Sequence, residues 1–503
     1  MAAVDVGMRG ERVRSALMWG LLALVVANAA IYVRAVAWPL IASDNWNHVH
    51  PLLRDLAAGQ VGPANFFVQR AGVDHAQPLM KLVMAVNARW FGLDFMLEGL
   101  LGIVFAVLAL AVLYRLAVAD TPGAPRPFAF RLGFVAVAAV LLSLNSTFIY
   151  VYPMVTMWFA LYALALLMAL AAWRALQGGR GWPLALAAFV LGVVADDSAF
   201  LYCAALGLAL LLYAFRERSL RRVAVLLALM ALGLVASRGL YALYGTTSGT
   251  TLAVFNRPLP ERIASLAVLW REAWAWFAIP ASSGLLGKES LTALAGDRAL
   301  LLRNALGAVM LLAHAWFWWS ALRLRAGSTW LAAVLLMLMF YAHVAAVLMV
   351  RVSALGTAYL DQPRYISFYQ FGVAALLLMA MARVGSASRA PAAATARTGH
   401  ALALAAAAVL AVQVLVSGCA REQQPGIEGS HLKMADDLAR VAQDPAGPVP
   451  EDCFPGMDIC VLPPERRVEL IGILREGRLQ LFSDQYLRRH PAQRAAAERA
   501  RAP

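Results

Sequence analysis

Lysine is nearly missing from this chain: three residues out of 503, against 40 arginines. Charge of either sign is scarce, at 14% of residues, where a soluble domain carries about 25%. That shortage excludes a soluble enzyme of this length. Hydrophobic residues make up 62% and mean hydropathy is +0.68, which excludes a disordered chain. No internal repeat is legible, so the inverted-repeat signature of many transporters is lacking. The length would hold about three soluble domains, but the composition predicts one large membrane body.

Net charge is +14. Residues 1–417 hold 31 basic and 16 acidic side chains, and residues 418–503 hold 12 and 13. The positive excess lies in the apolar part, as cytoplasmic loops require, and argues against a nucleic-acid partner. Apolar runs of about 17–25 residues signal spanning helices. Eleven occur: 16–41, 94–114, 132–146, 154–173, 183–195, 199–215, 223–245, 299–322, 329–350, 366–382 and 401–417. Runs 132–146 and 183–195 would barely cross about 30 Å, and suit a site inside a bundle. The expected fold is an all-α polytopic membrane protein of about 11 transmembrane helices. Residues 1–417 form the bundle, including a long extracytoplasmic first loop (42–93) and an extracytoplasmic segment (246–298); residues 418–503 form a small extracytoplasmic tail.

Arginine placement sets the orientation. With the N-terminus inside, the inner segments have more than twice the Arg/Lys density of the outer ones, and Arg216, Arg218, Arg221 and Arg222 form the strongest anchor. The first run is too long for a signal peptide, and no small-residue cleavage site precedes Asp44. In 258–286, Ile263, Leu266, Trp270, Trp274 and Phe277 recur at helical spacing, with Glu261, Arg262, Ser265 and Glu272 opposite. This predicts an amphipathic helix in the interface; were it to span, the last three helices and the tail would invert. In the tail, Cys453 and Cys460 flank CFPGMDIC, which outside the cytoplasm suits a small disulfide loop, the alternative being two thiols. Cys203 lies within a run and reads as packing. Cys419 follows a stretch like a lipoprotein cleavage box, read here as coincidence. Residues 474–502 predict an amphipathic piece followed by a frayed end.

Ionisable residues near the ends of spans carry the functional signal in so apolar a chain. On the expected outer side they are Asp44, Asp55, Asp74-His75, Asp196-Asp197, and the Arg351, Asp361 and Arg364 group; Arg238 lies inside the seventh run. In the first loop, Pro51 can open a helix that Gly59 closes, and Pro78 can open a second. Leu79, Leu82, Val83, Val86 and Trp90 would form the second helix's apolar face, with Lys81 off it.

At these residues the sequence resembles the GT-C superfamily of membrane glycosyltransferases, nearest to protein O-mannosyltransferases and lipid A aminoarabinose transferases. Those enzymes carry an acidic residue directly after the first span, then an element of the form D-x-H-P-P-L-x-K. Asp44 occupies the first position, and Asp74-His75-Ala76-Gln77-Pro78-Leu79-Met80-Lys81 is similar to the second. Trp90-Phe91-Gly92-Leu93-Asp94 resembles the segment before the second span. The departures are Asp44-Asn45 where an acidic pair is expected, adjacent Asp and His, and Gln77 in place of Pro. The motif covers about fifty residues, and the span layout extends it loosely over the chain.

The resemblance implies transfer of a sugar from a polyprenyl-phosphate donor to a glycan, lipid or protein acceptor, by an inverting, carboxylate-assisted mechanism. The setting would be a bacterial inner membrane with the site outside. A carboxylate must take the acceptor's proton, and cations must hold the departing phosphate. Asp44 is the candidate base and Asp74 its partner, although either could instead cap a helix. His75 belongs to the same element. Lys81, Arg238 and Arg364 are candidates for the donor phosphate; the arginines could instead snorkel or anchor to headgroups. Asp196 and Asp197, in a turn where related enzymes often have a lysine, could hold a cation or a sugar hydroxyl, or cap the next helix. His48 and His50, with Asp44, Asp74 and His75, are weak candidates for a divalent cation, because the spacing matches no strong metal motif. Trp46 and Tyr365 could stack on a sugar. The competing functions are a transporter or flippase for a lipid-linked envelope precursor, and a non-catalytic membrane assembly protein.

Overall fold

The computed structural model describes residues 2–43, 45–70, 76–120, 126–195, 197–248, 257–387 and 392–502. The chain is helical almost throughout. Helix α1 (Ala2–Val36) leads into the first loop, which carries α2 (Asn45–Ala57) and α3 (Pro78–Phe91). The bundle continues with α4 (Phe95–Ala117), α5 (Phe128–Leu141), α6 (Trp158–Leu176), α7 (Trp182–Ala195), α8 (Ser198–Glu217) and α9 (Leu220–Tyr244). Two further helices, α10 (Leu259–Val268) and α11 (Ala273–Ser283), precede α12 (Ala299–Arg323), α13 (Ser328–Val347), α14 (Ile366–Ala387) and α15 (Ala392–Gln443). The tail adds α16 (Pro464–Glu476) and α17 (Arg494–Arg501). Among the described residues, nine helices are long and apolar enough to cross a membrane, and α5 and α7 are shorter apolar helices. Every one of the eleven apolar runs overlaps one of these. The protein is an all-α polytopic membrane protein.

The main core is centred on α13 and α14, where Leu331, Val334, Leu335, Leu378 and Met379 are fully enclosed. Helix α7 lies close against α9 because glycine leaves room. A Cβ on Gly233 would stand 2.2 Å from the Ala185 carbonyl oxygen, and one on Gly192 would stand 2.2 Å from Ser237 Oγ. Small residues at such crossings let helix backbones approach where lipid supplies no hydrophobic drive.

A second core joins the first loop to the tail. Trp46, Leu53, Met84, Ala88 and Phe95 pack with Met434, Leu438, Ile459, Ile471, Leu474 and Tyr486. Loop and tail therefore sit on one face of the bundle. No helix end marks residue 417, since α15 runs unbroken through Pro425 to Gln443. Cys453 and Cys460 are bonded. The end of the chain is packed rather than frayed: Ala496, Ala497 and Ala500 of α17 are buried.

Other expectations change in detail. Pro51 lies inside α2 instead of opening it. The earlier turn is helical because it brings Trp46 onto the same buried side as Leu53. Helix α3 starts at Pro78 and stops at Gly92 (φ +70), as a proline start and glycine stop require. Its orientation is the reverse of a soluble helix. Lys81, Met84, Asn87 and Ala88 face the protein, while Leu82, Val86 and Trp90 face outward. In an interfacial helix lipid takes the apolar side, so the polar side turns to the bundle. Segment 258–286 is broken near Trp270–Glu272. Helix α10 has no buried residue, whereas Ala278–Ser283 of α11 insert into the bundle.

Candidate functional site

The loop crosses onto the bundle through a short parallel pairing of β1 (Val68–Arg70) with β2 (Thr246–Ser248), just beyond the end of α9. Beside it, Phe67 meets Tyr241 edge-on at 5.0 Å and stacks on Tyr244 at 6.0 Å. Lys81 is 2% exposed, and its ammonium donates to the Val68 carbonyl. The rare lysine is thus held under the loop, pointing inward from α3.

Arg238 reaches the same neighbourhood from α9. Its guanidinium lies 4.9 Å over Tyr241 and 4.7 Å over Phe200, and pairs with Asp197 at 3.0 Å. Tyr241 in turn donates to the Val193 carbonyl at 2.9 Å. Residues 67–68 and Tyr241 therefore bridge Lys81 to Arg238. Asp197 is the carboxylate that makes an arginine inside the span tolerable. Asp44, Asp74, His75 and Asp196 lie outside the described residues. So do the side chains of His48 and His50, whose backbone belongs to α2. Among the described residues no group of three His, Cys, Asp or Glu could hold a metal.

Arg364 belongs to another group, built by the loop between α13 and α14. Asp361, expected beside it, pairs instead with Arg303 of α12 at 3.0 Å. Arg364 donates to the Tyr359 hydroxyl and lies over the Tyr359 and Tyr365 rings, at 5.5 and 5.3 Å. It makes no ion pair among the described residues, and its buried Nε has no hydrogen-bond partner. Of the two arginine candidates, Arg238 is paired with a carboxylate, and Arg364 meets none among the described residues. Tyr365 is buried, with Arg364 above its ring.

Trp46 is buried in the second core, which removes it as a sugar-stacking platform. Its Nε1, and Oδ1 of Asn45, are buried without a hydrogen-bond partner among the described residues.

Sequence reasoning missed the clasp between tail and loop. Asp94 caps α4 by accepting from the Met96 N–H. Its carboxylate is fully enclosed, 2.6 Å from Arg489 Nε and 3.1 Å from His490 Nε2. Arg489 also donates to the Phe91 carbonyl, and the Gln480 N–H to the Gly92 carbonyl at 2.7 Å. Asn87 on α3 donates to Glu98 at 2.7 Å and accepts from the Asp94 N–H at 2.9 Å. The Phe91-Gly92-Leu93-Asp94 stretch was conspicuous in the sequence, but nothing in it announced a partner nearly 400 residues away.

No family model matches the sequence, and no curated protein matches it. Among solved structures, the crystal structure of ArnT from Cupriavidus metallidurans bound to undecaprenyl phosphate is similar. The match has a TM-score of 0.43 and 13% identity, and covers 90% of this chain and 85% of that one.

Proposed function

We propose that this protein is a membrane glycosyltransferase that moves a sugar from a polyprenyl-phosphate donor to a glycan, lipid or protein acceptor. The observation that carries the reading is Lys81: a rare lysine, buried under the first loop, at the lysine position of the D-H-x-x-P-L-x-K stretch. An ammonium in that place suits an anion delivered from the bilayer.

The reaction assigned to the site is a single displacement. The acceptor oxygen attacks the sugar's anomeric carbon, its proton passes to Asp44, and the bond from that carbon to the lipid-phosphate oxygen breaks. Inversion at the anomeric carbon follows. Lys81 and Arg364 stabilise the charge gathering on the phosphate, Arg364 as a planar fork and Lys81 as a point charge. Asp74 and His75 orient the acceptor, with Tyr365 beside the donor and Asp197 holding Arg238. A divalent cation at Asp44 and Asp74, with His48 and His50, belongs to the same reading and is tested by chelation. The first-loop face is assigned to the extracytoplasmic side of a bacterial inner membrane, following the arginine distribution.

The test is transfer from a polyprenyl-phosphate sugar by the purified protein, alongside mass spectrometry of surface glycans and lipids with and without the gene. A missing sugar, restored by the wild-type gene and not by Lys81→Met, supports the proposal. Unchanged glycans and lipids, with no transfer in vitro, refute it.

A further inference from the structure

The face of the bundle opposite the first loop holds a cation site that the proposed chemistry does not use. It lies where α12 and α14 end. Arg323 and Arg383 both address the ring of Trp319, with guanidinium carbons 5.3 and 5.2 Å from its centroid. Arg383 also lies 5.8 Å from Trp316, one helical turn back, and donates to Ser320 Oγ at 3.4 Å. A third guanidinium joins from α8, since Arg216 donates to the Leu322 carbonyl. Glu217, next to it, is occupied by the Ala326 N–H at 3.3 Å.

Two features separate this place from an ordinary arginine-rich edge. Arg323 makes no hydrogen bond or ion pair among the described residues, so its donors are unspent while the ring fixes its position. The Trp319 indole N–H has no hydrogen-bond partner among the described residues either, and Trp319 and Leu322 are 49% and 57% exposed side by side. The surface is thus apolar along the helix and cationic at its end. A free anion would need only the cationic end. An anion attached to acyl chains would use both parts.

We propose that Arg323, Arg383 and Trp319 bind the headgroup phosphate of an anionic phospholipid, with Arg216 adding field and Leu322 contacting the chain. Indole belongs at headgroup depth, and paired guanidiniums between spanning helices match a phosphate there. The site is independent of the proposed transferase reaction.

The test is native mass spectrometry of the full-length protein in detergent, titrated with phosphatidylglycerol or phosphatidylcholine of identical chains. Phosphatidylglycerol should bind more tightly. Arg323→Gln should weaken it about fivefold, the worth of one basic residue at a charged lipid surface, and Arg323→Gln/Arg383→Gln about 25-fold. Arg174→Gln, at the end of α6 on the same face, should leave it unchanged. Arg323 is exposed, so the single variant is expected to fold, which its melting temperature in detergent checks. Equal binding of the two lipids would overturn the proposal. So would full retention of phosphatidylglycerol by Arg323→Gln, or its displacement by glycerol phosphate at equal concentration.

Discussion

Three cations were candidates for one phosphate, and their surroundings separate them. Among the described residues, Arg238 pairs with the Asp197 carboxylate, Arg364 lies against Tyr359 and Tyr365, and Lys81 donates to the Val68 carbonyl. Arg364→Ala should therefore raise the donor KM with little change in fold, whereas Arg238→Ala should leave Asp197 solvated and activity nearly intact. Lys81→Met keeps the length of the side chain and removes its charge. It should cut transfer by on the order of 100-fold, as loss of one preorganised donor to a developing anion does. Asp44→Asn should cost about 10²–10⁴ in rate with the melting temperature unchanged; equal losses of both would make Asp44 only a cap. The rarity of lysine was legible in the sequence. The pairing of Arg238 was not, because its partner is 41 residues away and the turn between α7 and α8 brings them together.

Helix α3 shows how much a pattern tells and where it stops. Its start at Pro78 and its end at Gly92 are local chemistry and could be read directly. Which face turns inward could not be read so, because hydrophobic periodicity gives the axis of amphipathicity, not the identity of the solvent. Gly92 has a second constraint: a Cβ there would lie 2.2 Å from Ser483 Oγ. Gly92→Ala should both strain the helix stop and push the tail away, measured as faster proteolysis after Arg478 in membranes. Arg489→Ala leaves the Asp94 carboxylate buried with only His490 and the Met96 N–H against it among the described residues. We expect a loss of roughly 1–3 kcal/mol, below that of a fully enclosed pair because Arg489 is partly exposed, read as a lower melting temperature in detergent. Asp452 works in the opposite regime, on the surface. Arg440 and Lys433 donate to it and hold its carboxyl well below the usual range. A depressed pKa contributes stability above the unfolded value, lost as pH falls through the folded one. The difference between wild type and Asp452→Asn should therefore be constant from pH 7 to about 5 and vanish only in strong acid.

At the level of the whole molecule, the placement of the apolar helices followed from composition, because length and apolarity are what crossing a bilayer demands; nine of the eleven runs give helices long enough to cross among the described residues, and two give shorter ones. The union of loop and tail in one core did not follow, since it depends on contacts between residues 40–95 and 434–500. It makes a definite prediction. In a cysteine-depleted background, Glu451→Cys should react with an impermeant maleimide from the same side as Asp55→Cys, and Arg218→Cys from the other. Labelling of residues 451 and 218 from one side would break the topology.

Helix α15 runs 52 residues without a break, about 78 Å at 1.5 Å per residue, and roughly 30 Å of that lies in the bilayer. The remainder works as a shaft, so the angular phase of the tail is set by the count of residues along it. One alanine inserted after Gly429 would turn everything beyond by about 100° and swing Arg489 off Asp94. Four would return it to within about 40°, displaced by some 6 Å. The melting temperature in detergent, which reads the Arg489–Asp94 clasp, should therefore vary with insert length in a periodic way, recovering in part at four residues and failing at two, a dependence that a flexible tether would lack.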